Sequence, residues 1–105
     1  MEKSLGEYIH SLRKERGLTL TKLAAALDID QSTLSKVENN KRNLPDEALP
    51  KLANYFGLDV TAIKKEYYSE KIAEMIYQEP NCREVLKLAE EKVEYMKSKN
   101  SRIKV

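Results

Sequence analysis

Between Asp30 and Asn40 the chain reads DQSTLSKVENN. Asp30 is a preferred N-cap residue, because its side-chain oxygen takes up backbone N–H groups that the first helical turn leaves free. Leu34 and Val37 follow three apart and fall on one helix face. The other side carries Gln31, Ser32, Ser35 and Lys36, with Thr33 beside them. Amide, hydroxyl and ammonium groups of this kind can reach base edges and phosphates. Upstream, Thr19 can cap a second short helix, Leu20 to Leu27, with Leu23, Ala24 and Leu27 on its apolar side. The link Ala26-Leu27-Asp28-Ile29-Asp30 is tight. The pattern predicts two short helices meeting at a turn, the second polar on its outer face.

That arrangement is a helix-turn-helix. The run from Leu5 to Ile63 resembles the phage-repressor-like (Cro/C1-type, XRE) helix-turn-helix family. The resemblance rests on Leu12-Arg13, Arg16-Gly17-Leu18-Thr19, Leu23-Ala24, Leu27, Ile29, Ser32, Leu34-Ser35, Val37-Glu38, Asn39, Lys41-Arg42, Pro45, Leu49, Leu52-Ala53, Phe56 and Leu58. It implies an all-α, five-helix lambda-repressor-like domain that binds double-stranded DNA as a dimer, third helix in the major groove. On the matching positions it implies base contacts at Gln31, Ser32 and Lys36, and Thr33 and Ser35 are expected to read bases beside them. It places Asn39, Asn40, Lys41 and Arg42 over the sugar-phosphate backbone. It also implies a partly buried ion pair of Arg13 with Glu38. Thr19, Thr21 and Lys22 open the second helix, where free N–H groups and the positive end of the helix dipole suit a phosphate.

Three features depart from the family pattern. Leu20 stands where a Gln often braces the recognition helix and touches phosphate, leaving that duty to Thr19, Thr21 or backbone N–H groups. Asn40 replaces the Gly that often ends helix 3, and Asn is the next-best left-handed cap. The region after Ser69 is longer than the minimal domain needs.

Composition agrees with a small helical protein. Of 105 residues, 41% are hydrophobic and 34% charged, with three Gly and three Pro, which favours helix and a modest core. One Cys excludes an internal disulfide and a Cys-based zinc cluster, and one His removes most metal sites and catalytic triads. No metal or cofactor is expected, and no enzyme chemistry. No apolar run approaches a membrane span and no signal peptide opens the chain, so a cytoplasmic location is expected. Net charge is only +2, but it is unevenly spread. Lys36 to Arg42 holds three cations and one anion, and Lys97 to Val105 holds Lys97, Lys99, Arg102 and Lys104 with no anion. Residues 69–95 carry four cations and seven anions. Such asymmetry fits a protein that docks one surface on phosphates.

In chain order, Ser4-Leu5-Gly6-Glu7 reads as a capping box opening helix 1, with Leu5, Ile9 and Leu12 as its stripe and Gly17 as its left-handed stop. Helix 3 is expected from about Gln31 to Asn39. Helix 4 is expected from about Asp46 to Phe56, with Pro50 in its first turn, where proline loses little. Gly57 ends it and Asp59 caps helix 5. The expected core is Leu12, Leu18, Leu23, Leu27, Ile29, Leu34, Val37, Leu49, Leu52, Phe56, Leu58 and Ile63. Residues 1–68 form the DNA-binding domain and residues 69–105 a helical extension with a basic end fraying after Ser98. In it, Tyr68, Ile72, Met75 and Ile76 share a face, and Gln78-Glu79-Pro80-Asn81 breaks the helix. Cys82, Leu86, Ala89, Val93 and Met96 then recur at spacings of four, three, four and three, a narrow seam of about two heptads suited to dimerisation. Tyr67, Tyr68, Tyr77 and Tyr95 with the tail methionines read as an interface. His10 reads as a surface residue.

The expected function is a sequence-specific transcriptional regulator, a homodimer on an inverted-repeat operator, similar to a phage-type repressor or a restriction–modification controller. The competing expectation is an antitoxin-like module whose tail binds a partner protein while its helix-turn-helix serves autoregulation.

Overall fold

The computed structural model describes residues 3–103 and is helical: α1 Leu5–Glu15, α2 Leu20–Leu27, α3 Gln31–Glu38, α4 Ala48–Phe56, α5 Val60–Ile76 and α6 Cys82–Ile103. The chain divides into two compact units between Lys71 and Ile72, inside α5 and a little beyond the expected boundary at Tyr68.

In the first unit the helix ends follow from single residues. Ser4 caps α1 in a complete capping box: its hydroxyl accepts from Glu7 N at 3.1 Å, and Glu7 Oε1 accepts from Ser4 N at 3.0 Å. Those bonds, the backbone one first, hold the Glu7 carboxyl below its ordinary pKa. Thr19 accepts from Lys22 N at 3.1 Å, and Asp30 from Thr33 N at 2.6 Å. Four helices stop in one manner, with a left-handed residue followed by a backbone bond back into the last turn. The residues are Gly17 (φ 63°), Asp28 (φ 57°), Asn40 (φ 60°) and Gly57 (φ 67°). After them, Leu18 N donates to Arg13 O at 3.0 Å, Ile29 N to Ala24 O at 3.0 Å, Lys41 N to Lys36 O at 2.9 Å and Leu58 N to Ala53 O at 2.7 Å. Asn40 thus occupies the left-handed position where the family often has Gly, whereas Asp28 in that role is new. Pro50 falls in the first turn of α4, which starts two residues later than expected.

The core joins Leu5, Ile9, Leu23, Ala24, Leu27, Leu34, Val37, Leu44, Ala48, Leu49, Leu52, Phe56, Ile63 and Tyr67. Leu12, Leu18, Ile29 and Leu58, expected inside, are only partly buried and pack around this cluster. Six members lie outside the expected core; Leu5, Ile9 and Ala24 sit on apolar faces legible in the sequence, and three carry no such signal. Leu44 lies in the α3–α4 loop, where periodicity gives no signal. Ala48 opens α4. Tyr67 was assigned to a tail interface, but α5 runs unbroken from Val60 to Ile76, so Ile63 and Tyr67 share its inner face. Lys64, Lys65 and Glu66 offer no breaker there. The single Tyr67 hydroxyl hydrogen is shared between Leu44 O at 2.5 Å and Asp46 Oδ1 at 2.7 Å. Burial, and then the Asp46 carboxylate, raise its pKa. Lys71 Nζ sits 5.0 Å from the centre of its ring.

Gly6 marks a close approach of α1 to α3. A Cβ built there would meet Val37 O at 2.1 Å. The bare backbone of α1 therefore lies against the end of α3, a closeness only glycine permits. Two bonds fix the same turn: Ser4 Oγ donates to Asn40 Oδ1 at 2.7 Å, and Leu5 N donates to Glu70 Oε2 at 2.8 Å.

The second unit contains α6, which continues to Ile103, past Ser98, where fraying was expected. Its residues are mostly good helix formers, and it has no Gly or Pro. Cys82 is half-buried, and Leu86, Ala89, Val93 and Met96 are exposed. Leu88 and Tyr95, seven apart and off that seam, are also exposed. Lys104 and the Arg102 side chain lie outside the described residues. Among the described residues, no helix is long and apolar enough to cross a membrane.

Candidate nucleic-acid interface

α3 divides cleanly around its axis. At about 100° per residue, Thr33, Leu34, Val37 and Glu38 occupy one arc, and all four are buried. Gln31, Ser32 and Lys36 are exposed, and Ser35 is half-exposed, on the remaining arc. Thr33, expected among the base readers, is 9% exposed and belongs to the inner arc beside Val37. Its backbone caps onto Asp30, whose carboxyl is held below its ordinary pKa by Thr33, backbone bond first, with Arg42 and Lys36 adding their charges. The exposed polar row therefore holds four of the five expected residues.

Its first residue is held in place. Thr21 Oγ1 donates to Gln31 Oε1 at 2.6 Å. Thr21, expected at a phosphate, also ties α2 to the first residue of α3. One Oε1 lone pair and both Nε2 hydrogens of Gln31 stay available, the groups an amide uses on adenine N6 and N7. Leu20 is half-buried and packs on the core, and its side chain also lines a shallow depression with Gln31, Ser32, Ser35 and Lys36. In the sequence it stands out only as the residue in place of the family's usual Gln.

After α3 the residues divide by use. Asn39 turns back, donating from Nδ2 to Ser35 O at 2.8 Å, and Asn40 uses Oδ1 on Ser4. Lys41 and Arg42 are exposed, as are Thr19, Thr21 and Lys22 at the start of α2. Cations thus border the polar row at both sides of the motif.

Behind the row lies a charged cluster. Arg13 Nε and Nη2 donate to Glu38 Oε2 and Oε1 at 2.8 and 3.0 Å, a two-pronged pair across α1 and α3. Arg13 Nη1 also donates to Leu18 O at 3.0 Å. His10 Nδ1 lies 2.7 Å from Glu38 Oε1, so His10 joins this cluster rather than merely facing solvent. Burial pushes the Glu38 carboxyl up, but the bonds from Arg13 and then His10 outweigh it and hold the carboxyl below its ordinary pKa. The same pair raises that of Arg13. Glu38 is spent on this anchor, and α3 is fixed at its C-terminal end as Gln31 is at its start.

The geometry is a rigid polar row on a short helix, flanked by cations. A family model described as helix-turn-helix matches residues 9–63. The chain belongs to the Cro/C1-type helix-turn-helix family of DNA-binding transcriptional regulators. It is similar to the transcriptional repressor RghR of Bacillus subtilis, 34% identical over 73 residues, covering 68% of this chain and 54% of that protein. It is similar to the immunity repressor of Bacillus phage phi105, 30% identical over 88 residues, covering 84% of this chain and 61% of that one. It also resembles the transcriptional regulator RamB of Mycobacterium tuberculosis, 31% identical over 71 residues, 68% of this chain and 15% of that protein. The chain thus spans 15% to 61% of these relatives' lengths. The crystal structure of the clp gene regulator ClgR from Corynebacterium glutamicum shares the fold, with a TM-score of 0.51 and 23% identity over 88% of this chain and 84% of that one.

Proposed function

We propose that this helix-turn-helix protein binds an inverted-repeat operator as a homodimer and regulates transcription by blocking or recruiting RNA polymerase, with no chemistry of its own. The observation that carries this reading is the row Gln31, Ser32, Ser35 and Lys36, exposed on a helix pinned at both ends. Rigid placement matters because base discrimination depends on angle as well as distance. Lys22, Lys41 and Arg42 supply phosphate contacts, which set register and make affinity fall with salt. Thr19 and the side-chain N–H groups of Asn39 and Asn40 border the same surface. Dimerisation falls to the seam of Cys82, Leu86, Ala89, Val93 and Met96, and each protomer reads one half-site, the half-sites about one DNA turn apart. A role as phage-type repressor or restriction–modification controller suits its similarity to a phage immunity repressor, and DNA as partner places it in the cytoplasm.

Selection of bound duplexes from a random pool tests the reading. A palindromic site is expected for the native protein. Gln31→Ala should relax preference at one position per half-site by about 1–3 kcal/mol. Equal binding to all sequences overturns it.

One observation favours a second reading. Leu88 and Tyr95 lie outside a two-stranded seam and are 55% and 66% exposed. A tail that also clamps a partner protein, as in an antitoxin, would use this ridge. A protein whose mass in solution equals one dimer, and whose dimer survives Leu88→Ser with Tyr95→Ser, keeps that ridge free for such a partner.

A further inference from the structure

We propose that Leu20 is a base-reading residue that packs on the C5-methyl group of a thymine at or next to the base pair read by Gln31. This rests on the operator-binding reading above. Leu20 is the apolar member of a depression otherwise lined by Gln31, Ser32, Ser35 and Lys36. It is the first residue of α2, and it lines this depression together with Gln31, the first residue of α3. Thr21, its neighbour, grips Gln31 Oε1 at 2.6 Å, which fixes Leu20 and the Gln31 amide on adjacent ground. Core packing on one side of Leu20 removes its freedom to swing away.

The chemistry then follows from what a major groove offers. Thymine alone presents a methyl group there, and an apolar side chain is its complement. The polar head groups of the row are matched to hydrogen-bonding atoms, whereas the Leu20 side chain offers only carbon to that methyl. Adenine suits the Gln31 amide, and an A·T pair presents its thymine methyl in the same major groove, on the partner strand. Leucine in place of a polar residue thus exchanges a phosphate contact for a base contact.

Substitution of deoxyuridine for thymidine removes the methyl and leaves every hydrogen-bonding group in place. Single substitutions through the selected duplex are titrated with native protein and with Leu20→Ala, whose folding is followed by thermal melting. Native protein should lose about fourfold in affinity at one thymine per half-site, the equilibrium worth of roughly one buried methyl. Leu20→Ala should bind the thymidine and deoxyuridine duplexes equally. If native protein binds its site but tolerates deoxyuridine at every position, the proposal fails while operator binding survives. If Leu20→Ala weakens both duplexes alike and keeps the native methyl effect, Leu20 is packing only and the proposal fails. If no duplex is preferred at all, the operator reading itself falls.

Discussion

α3 and α6 are both amphipathic helices, yet they are stabilised in opposite ways. α3 has eight residues, below the roughly 12–15 that an isolated helix needs in water. It exists because Leu34 and Val37 are buried and because Asp30, Thr21, Arg13 and Glu38 tie it down. α6 has 22 residues, long enough to hold helix from local propensity, and it keeps Leu86, Val93 and Met96 about half exposed. Tertiary packing therefore decides the geometry of α3 and leaves its polar row rigid. In α6 the apolar residues serve something other than the making of the helix.

The sharpest way to break the contrast is Leu34→Ala, a fully buried side chain under the reading row. It should cost about 3–4 kcal/mol in chemical denaturation, cavity included, and abolish operator binding first. Glu38→Gln should cost roughly 3 kcal/mol, since it leaves the Arg13 guanidinium largely buried without its anion. The same pair predicts a pH effect. The folded Glu38 carboxyl titrates below its unfolded value, so its contribution is present above about pH 4.5 and fades as pH falls through the folded value. Thermal melts from pH 7 to 3 should decline less steeply in Glu38→Gln than in the native protein, with Glu7 and Asp30 sustaining the remainder.

Tyr67→Phe should cost about 1–2 kcal/mol, because the Leu44 carbonyl loses a donor in a buried place. Its raised phenol pKa also means that stability, complete below about pH 10, erodes as pH climbs toward the folded value. Melts above pH 10 should show this loss in native protein and not in the variant. The smallest effect sharpens the comparison. Leu86→Ser should change the stability of the single chain by less than about 0.5 kcal/mol while reducing the mass seen by light scattering from dimer to monomer. A large destabilisation with mass unchanged would show α6 to be structural, like α3.

What could be read in advance divides along the same line. Ser4, Thr19, Asp30, Gly17 and Gly57 act on residues a few positions away, so neighbours in sequence reveal them. The turn pattern with Leu34 and Val37 placed α3 to within one residue. Leu44, Tyr67 and His10 owe their roles to partners between 21 and 28 positions away, and Gly6 to the backbone of Val37, and no local pattern carries that. Thr33 was misplaced through grouping by residue type; counting 100° steps from Leu34 would have turned it inward. Asp28 left a weak trace, since Asp visits left-handed backbone more readily than most residues.

The bond from Leu5 N to Glu70 Oε2 clasps the beginning of the DNA-binding unit to its last helix. Ser4 and Asn40 add a second stitch at the same turn. A hydrogen-exchange experiment would therefore find no separately melting edge at α1. Amides near residue 8 should exchange only with the global opening that frees α5, and trimming a few leading residues would loosen the whole unit rather than one end of it.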